Sequence, residues 1–215
     1  VNLLREHVTQ GNFRHAYLIS GPQGVGRRTL ALRFAQALNC PQPLSPGEPC
    51  RTCRTCTQIE NMQHPDLAVV QAERVGSVLR VDQVRELLPS LSLAPYQARY
   101  RIALFLRFEE ANPNAANALL KTLEEPPERV VLLLTAESAE SLLPTIVSRC
   151  EMLRLRALSL DTLSAGLQDR WGVPAEQARL LAHLSNGRVG AALNLYQSPE
   201  RLKQRQAWLE EHRDL

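Results

Sequence analysis

The sequence sets three glycines and two arginines where phosphate chemistry is done: Gly21-Pro22-Gln23-Gly24-Val25-Gly26-Arg27-Arg28-Thr29. A phosphate loop of the form G-x-x-x-x-G-K-[ST] uses its lysine on the β- and γ-phosphates and its hydroxyl on magnesium, and both positions are arginine here. A guanidinium is a permanent cation with donors only, so Arg28 cannot ligate magnesium, and Thr29 stands one position too late. The spacing of Gly21, Gly24 and Gly26 also suits an ordinary tight turn between a strand and a helix. Passive nucleotide binding stays open at this point, because a helix N-terminus attracts anions whatever side chains follow. Hydrolysis is not expected.

Four of the five cysteines, Cys40, Cys50, Cys53 and Cys56, form a C-x9-C-x2-C-x2-C array. In a reducing compartment such a cluster reads as metal binding, and four thiolates match the closed tetrahedral shell of structural zinc. A catalytic zinc would keep one position for water and recruit histidine or carboxylate. The stretch 41–49 carries four prolines and a glycine, so it lacks the means to build a core and needs a staple. Disulfides or free thiols are the alternatives. His64 lies near the array, but His64-Pro65-Asp66 reads as the turn before the strand that opens at Leu67. Cys150 stands apart and reads as a small buried hydrophobe.

The elements that must carry these groups alternate. Apolar runs predict strands over 16–19, 67–70, 102–106, 130–135 and near 152–155, and amphipathic runs predict helices over 28–38, 81–91 and 114–125. That order indicates an α/β fold with a parallel sheet covered by helices on both faces, and the glycine loop falls at the carboxyl end of a strand, where such sheets bind ligands. Beyond Arg156 only helices are expected, with starts at Ser159, at Pro174 and after Asn186-Gly187. The resulting division is 1–156 for the α/β domain with its metal module at 40–56, 157–198 for a small helical domain, and 199–215 for a polar linker helix.

The 215 residues suffice for one full domain and a smaller one, and no apolar run approaches the roughly 20 residues that a membrane span requires. The chain starts at Val1 with no signal peptide, which reads as a trimmed chain or fragment with a cytoplasmic home. A net charge of +3 is too mild to argue for a dedicated DNA surface, and Arg74, Arg80, Arg85, Arg99, Arg101 and Arg107 are scattered without aromatic interleaving. Around the cysteines only Arg51 and Arg54 are basic, so a freestanding zinc protein that reads nucleic acid is a weaker reading.

Two further segments bring in a family. Asn117-Ala118-Leu119-Leu120-Lys121-Thr122-Leu123-Glu124-Glu125-Pro126-Pro127 and Leu143-Pro144-Thr145-Ile146-Val147-Ser148-Arg149-Cys150, with the cysteine array behind the glycine loop, closely resemble the bacterial clamp-loader AAA+ family of DNA polymerase III. The resemblance covers nearly the whole chain. It implies an AAA+ sheet domain with a zinc module inserted after the first helix, a three-helix lid, and a helical collar domain that would follow Leu215. It also implies a place in DNA replication, with gamma/tau-type motor subunits, a delta subunit, the sliding clamp and primer-template DNA as partners.

Against that family the chain departs at the chemistry. The acidic pair that ends the strand before the N-A-L-L-K-T helix aligns with Leu106 and Arg107. Glu109 and Glu110 lie three residues on and read as solvated acids at a helix start. The family's phosphate-sensing arginine falls close to Gly190, and Arg188 is out of register. With lysine, magnesium hydroxyl and both acids replaced, the resemblance implies a catalytically inert, stator-type subunit without a working ATP or magnesium site. The rival is an ATP-hydrolysing motor subunit of the same loader, which requires lysine and threonine at 27 and 28 and acids at 106 and 107. Arg149 is the exception to the losses: in the family the S-R-C arginine resembles a finger that enters a neighbouring subunit's ATP site. A local ion pair, with Glu151 or Glu124, is the plainer reading of the same residue.

Overall fold

A computed structural model describes residues 2–198 and Glu200, so the proposed linker helix at 199–215 lies outside the described residues except for that one position. The described residues form two compact units, the first holding 2–21 and Arg27–Arg154, the second Pro22–Gly26 and 155–198.

The first unit is built on five parallel strands, β1 (Ala16–Ser20), β2 (Leu67–Val70), β3 (Arg101–Phe105), β4 (Val130–Ala136) and β5 (Glu151–Arg154), in the order β2-β3-β4-β1-β5. Every residue of β1 and β4 is buried, the pattern of central parallel strands covered on both faces. The edge strand β5 alternates instead, and Met152 stands exposed on it. Register is fixed along the middle of the sheet, with Ala16 opposite Leu132 and Ser20 opposite Ala136.

Helices α1 (Asn2–Gln10), α2 (Arg27–Asn39), α3 (Arg54–Glu60), α4 (Val81–Leu91), α5 (Pro113–Glu124) and α6 (Pro144–Val147) complete the unit, with a single 3-10 turn at Phe108–Glu110. In α2 the buried residues Ala31, Leu32, Phe34, Ala35 and Leu38 share one face, and Phe34 meets Tyr17 of β1 edge-on at 4.8 Å between ring centres. α5 starts where its sequence says it should: Asn112 Oδ1 accepts from Ala115 N at 2.7 Å, Pro113 takes the first helical position, and Pro126 follows its end. Its buried face, Ala115, Ala116, Leu119 and Leu123, joins the core formed with α4 and β3–β4.

Four elements were not legible in the sequence pattern. α1, α6 and the 3-10 turn are short, and α3 sits inside the cysteine array, whose spacing reads as loop. α3 is nucleated by the array itself: Cys53 caps it by accepting from Cys56 N through Sγ at 3.4 Å. β3 begins and ends one residue before the expected 102–106: Arg101 already pairs with Val130 of β4, and after Leu106 N makes the last ladder bond to the Val70 carbonyl at 2.9 Å the left-handed Arg107, φ 51°, ends the strand.

The second unit contributes α7 (Leu160–Trp171), α8 (Ala175–Leu184) and α9 (Val189–Gln197) around a small core of Leu163, Leu167, Val173, Ala178, Leu181, Ala182 and Ala192. Ser159 caps α7 by accepting from Thr162 N at 3.3 Å, and Gly172 ends it with φ 64°. No helix among the described residues is long and apolar enough to cross a membrane.

Candidate functional site

The glycine loop follows β1 and leads into α2. Gly21 N donates to the Ala136 carbonyl at 3.2 Å, which ties the loop's first residue to the end of β4. Gly24 and Gly26 have φ of 83° and 106°, values that side-chain-bearing residues rarely adopt, so the backbone demands glycine at both. Arg27 opens α2 with its side chain buried, and one guanidinium nitrogen, Nη1, lies 3.6 Å from Glu109 Oε1. Arg28 and Thr29, by contrast, are exposed.

Glu109 and Glu110 correct an expectation. They are not solvated: their side chains keep only 18% and 11% of their exposure. The 3-10 turn at 108–110 folds them inward. Glu110 accepts from Arg107 Nε at 3.0 Å and from Gly76 N at 2.7 Å, while Glu109 turns towards Arg27. Burial pushes the Glu109 carboxyl above the usual carboxylate range; the Glu137 charge adds to this, and Arg27 and backbone amides oppose it. Leu106 is buried and apolar, and Arg107 donates its N–H to Thr135 Oγ1 at 2.9 Å. The strand end therefore presents an apolar side chain and a cation where a magnesium site needs carboxylates.

In the second unit the loop residues are held by α9. Gly190 N donates to the Gly24 carbonyl at 2.7 Å, and a Cβ on Gly190 would stand 3.0 Å from that oxygen. Arg188 spends its guanidinium on backbone carbonyls, Ser185 at 2.8 Å through Nε and Gln23 at 3.4 Å through Nη1.

Cys40, Cys50, Cys53 and Cys56 converge, with their sulfurs all within 4.8 Å of one another. Cys40 and Cys50 sulfurs are 3.6 Å apart and those of Cys50 and Cys56 4.0 Å, close to the roughly 3.8 Å edge of a tetrahedron with Zn–S bonds of about 2.3 Å. Backbone N–H groups of Cys50, Cys53 and Cys56 point at the sulfurs of Cys40, Cys50 and Cys53 at 3.3–3.4 Å. Those donors favour thiolates: the amides of Cys53 and Thr52 lower the Cys50 thiol to about 6, whereas burial outweighs them at Cys53 and Cys56 and pushes both thiols up. Ligand identity, count and spacing thus fit a closed metal site. Gln36, fully buried in α2, anchors it by donating Nε2 to the Cys56 carbonyl at 2.7 Å. His64 stays out of the cluster and accepts from Asp66 N through Nδ1 at 3.1 Å, in the turn before β2. Cys150 is half-buried against the core, and burial pushes its thiol up to about 12.

Arg149 follows α6 with about a third of its side chain exposed. Its Nη2 donates to Glu124 Oε1 at 2.6 Å and its Nη1 to the Thr145 carbonyl at 2.8 Å. Of the two local partners considered above, Glu124 is the one in contact. Gln36 positions the cysteine site without having been singled out in the sequence, and Glu109, read there as a solvated acid, turns out to face Arg27. Gln36 left no signal in the sequence, whereas Glu109 did, as an acid near the position of the missing acidic pair.

This sheet order, with a glycine loop between its central β1 and the following helix, defines an AAA+-like α/β fold. The family model described as DNA polymerase III, delta subunit, matches residues 1–159, and the chain belongs to the bacterial DNA polymerase III clamp-loader family of tau, gamma and delta-prime subunits. It is 39% identical over 186 residues to the DNA polymerase III subunit delta' of Pseudomonas aeruginosa, covering 85% of this chain and 56% of that protein. It is 34% identical over 197 residues to the subunit tau of Escherichia coli K12, covering 89% of this chain and 30% of that one. The chain therefore spans only 30% to 56% of the length of these relatives. Among solved structures, a gamma subunit-related protein of Thermotoga maritima superposes with a TM-score of 0.63 at 22% identity, over 91% of this chain and 57% of that one, a likeness of fold.

Proposed function

We propose that this chain is a delta-prime-type subunit of the bacterial clamp loader, a stator that does not hydrolyse ATP. The observation that carries the reading is Arg27: it replaces the phosphate-binding lysine and is buried against Glu109 instead of standing free for a nucleotide. Arg28, Leu106 and Arg107 remove the remaining magnesium ligands and the water-activating acid, so charge neutralisation and nucleophile positioning have no donors here. Arg149 serves a neighbouring motor subunit in trans, and the four cysteines hold a structural zinc that staples the proline-rich stretch to α2. The partners are gamma/tau-type motor subunits and a delta subunit, with clamp and primer-template DNA engaged through the assembly.

A second reading has its own support. Tau and gamma subunits, including those of Buchnera aphidicola and Haemophilus influenzae, match 89–91% of the chain at 30–34% identity, and these relatives taken together favour a motor subunit. That reading needs a phosphate lysine and an acidic pair that this chain does not carry. The deciding experiment is ATP turnover by the purified full-length protein. The stator reading expects none above a control preparation, and magnesium-dependent hydrolysis that follows the protein through successive columns would replace it with the motor.

A further inference from the structure

The charge at the start of α2 is internally answered but not satisfied. Arg27 Nη1 is buried and has no hydrogen-bond partner, and the same is true of Glu109 Oε2. The two side chains face each other at 3.6 Å, an ionic separation too long for a hydrogen bond. Two buried charges held this way do not explain themselves by stability, since a buried pair repays its desolvation only when its hydrogen bonds are complete. What the arrangement does accomplish is electrostatic. The first turn of a helix carries free N–H groups and about half a positive charge, and Arg27 adds a full one. The Glu109 carboxylate supplies the anion that such a place attracts.

We propose that the first turn of α2 with Arg27 is a latent oxyanion site of phosphate chemistry, kept closed by the carboxylate of Glu109 acting as a tethered substitute for the phosphate. This deepens the stator reading and rests on it: the site fails to take a nucleotide because it is filled from within, not only because the lysine is gone. Arg27 keeps the donor fork suited to phosphate. Removing the Glu109 charge leaves a buried guanidinium without a counter-ion, so an external phosphate becomes its partner.

The test uses full-length protein and inorganic pyrophosphate, read by calorimetric titration and by the shift in thermal midpoint. The wild type is expected to show neither binding nor a shift at millimolar pyrophosphate. Glu109→Ala is expected to melt lower without ligand, to regain stability with pyrophosphate, and to bind it at least about tenfold more tightly than the wild type, as a charged hydrogen bond of about 1.5–3 kcal/mol implies. Glu109→Gln keeps the shape of the side chain and carries the test should the alanine variant fold poorly. Adding Arg27→Ala to either variant should abolish the gain. A folded Glu109→Gln protein that binds no better than wild type, or a wild type that already binds as tightly, overturns the proposal. ATP turnover by the wild type would instead overturn the stator reading, so the two failures are separate.

Discussion

Gln36 Nε2 donates to the Cys56 carbonyl at 2.7 Å, a fully buried bond that joins the helix behind the glycine loop to the helix that carries the last cysteine. The same side chain accepts from Arg33 Nη1 at 2.6 Å, and Arg33 in turn reaches Glu60 at the end of α3. The cysteine module is therefore tied to α2 by polar contacts, beside the fully buried Cys56 and Ile59 of α3. Gln36→Leu leaves a buried carbonyl without a donor, at a cost of about 1–3 kcal/mol. The expected result is a lower thermal midpoint together with faster metal release to a chelator, and a midpoint unchanged from wild type would mean the bond is not what holds α3.

Metal content follows from the donor set. Protein purified without added zinc or chelator should carry about one equivalent, because four converging sulfurs close a tetrahedral shell. Cys53→Ser removes a metal ligand while its hydroxyl can still cap α3, as that of Ser159 caps α7, so zinc should be lost and the thermal midpoint lowered with the helix start retained. Full zinc and an unchanged melt in that variant would exclude the four-cysteine site.

Most of the sheet was legible because parallel central strands are continuous apolar runs, and β4 from Val130 to Ala136 is the clearest of them. The cysteine cluster was legible because its ligands lie within a short stretch of chain. What escaped are groups whose role depends on distant partners. Glu109 looks like any acid at a helix start until the 3-10 turn brings it to Arg27, and Asp66 looks like a turn residue until the 94–100 loop folds over it. Neither partner is adjacent in sequence, so no local pattern reports the pairing.

Asp66 gives a prediction with a sign. Its fully buried carboxylate accepts from Tyr96 N at 2.6 Å, Gln97 N at 2.7 Å and Ala98 N at 2.9 Å, and Arg101 Nη2 stands 3.3 Å away. Burial works against the charge, but the three amides and the guanidinium outweigh it and hold the carboxyl below the usual range. A lowered folded pKa stabilises the protein above the unfolded value of about 3.9, and that contribution is lost as pH falls through the folded value. Asp66→Asn should cost about 3–5 kcal/mol at neutral pH, since it leaves Arg101 unpaired and turns an amide towards amide donors. Chemical denaturation from pH 7 down to the acid limb should show the difference between variant and wild type shrinking below about pH 4. A constant difference would assign the effect to packing.

Arg149 offers the last prediction, and its pairing with Glu124 is what makes the outcome informative. Half-exposed pairs of this kind contribute only about 0–1 kcal/mol, so the guanidinium can leave Glu124 for a neighbour's phosphate at little cost. In the reconstituted loader, Arg149→Ala should leave folding and ring assembly intact while lowering clamp- and DNA-stimulated ATP hydrolysis. Arginine fingers contribute about 10³–10⁵ in rate at the site they serve, but a ring with several active sites loses only the share of one interface. Arg149→Lys should rescue poorly, because an ammonium lacks the planar fork. Glu124→Ala separates the two readings: it removes the local partner and keeps the finger, so turnover should stay near wild type. Wild-type turnover from an intact Arg149→Ala ring would refute the trans role. Equal losses from Arg149→Ala and Glu124→Ala, with assembly impaired in both when followed by gel filtration, would show that the pair holds the 144–150 segment in shape and that no finger reaches the neighbour.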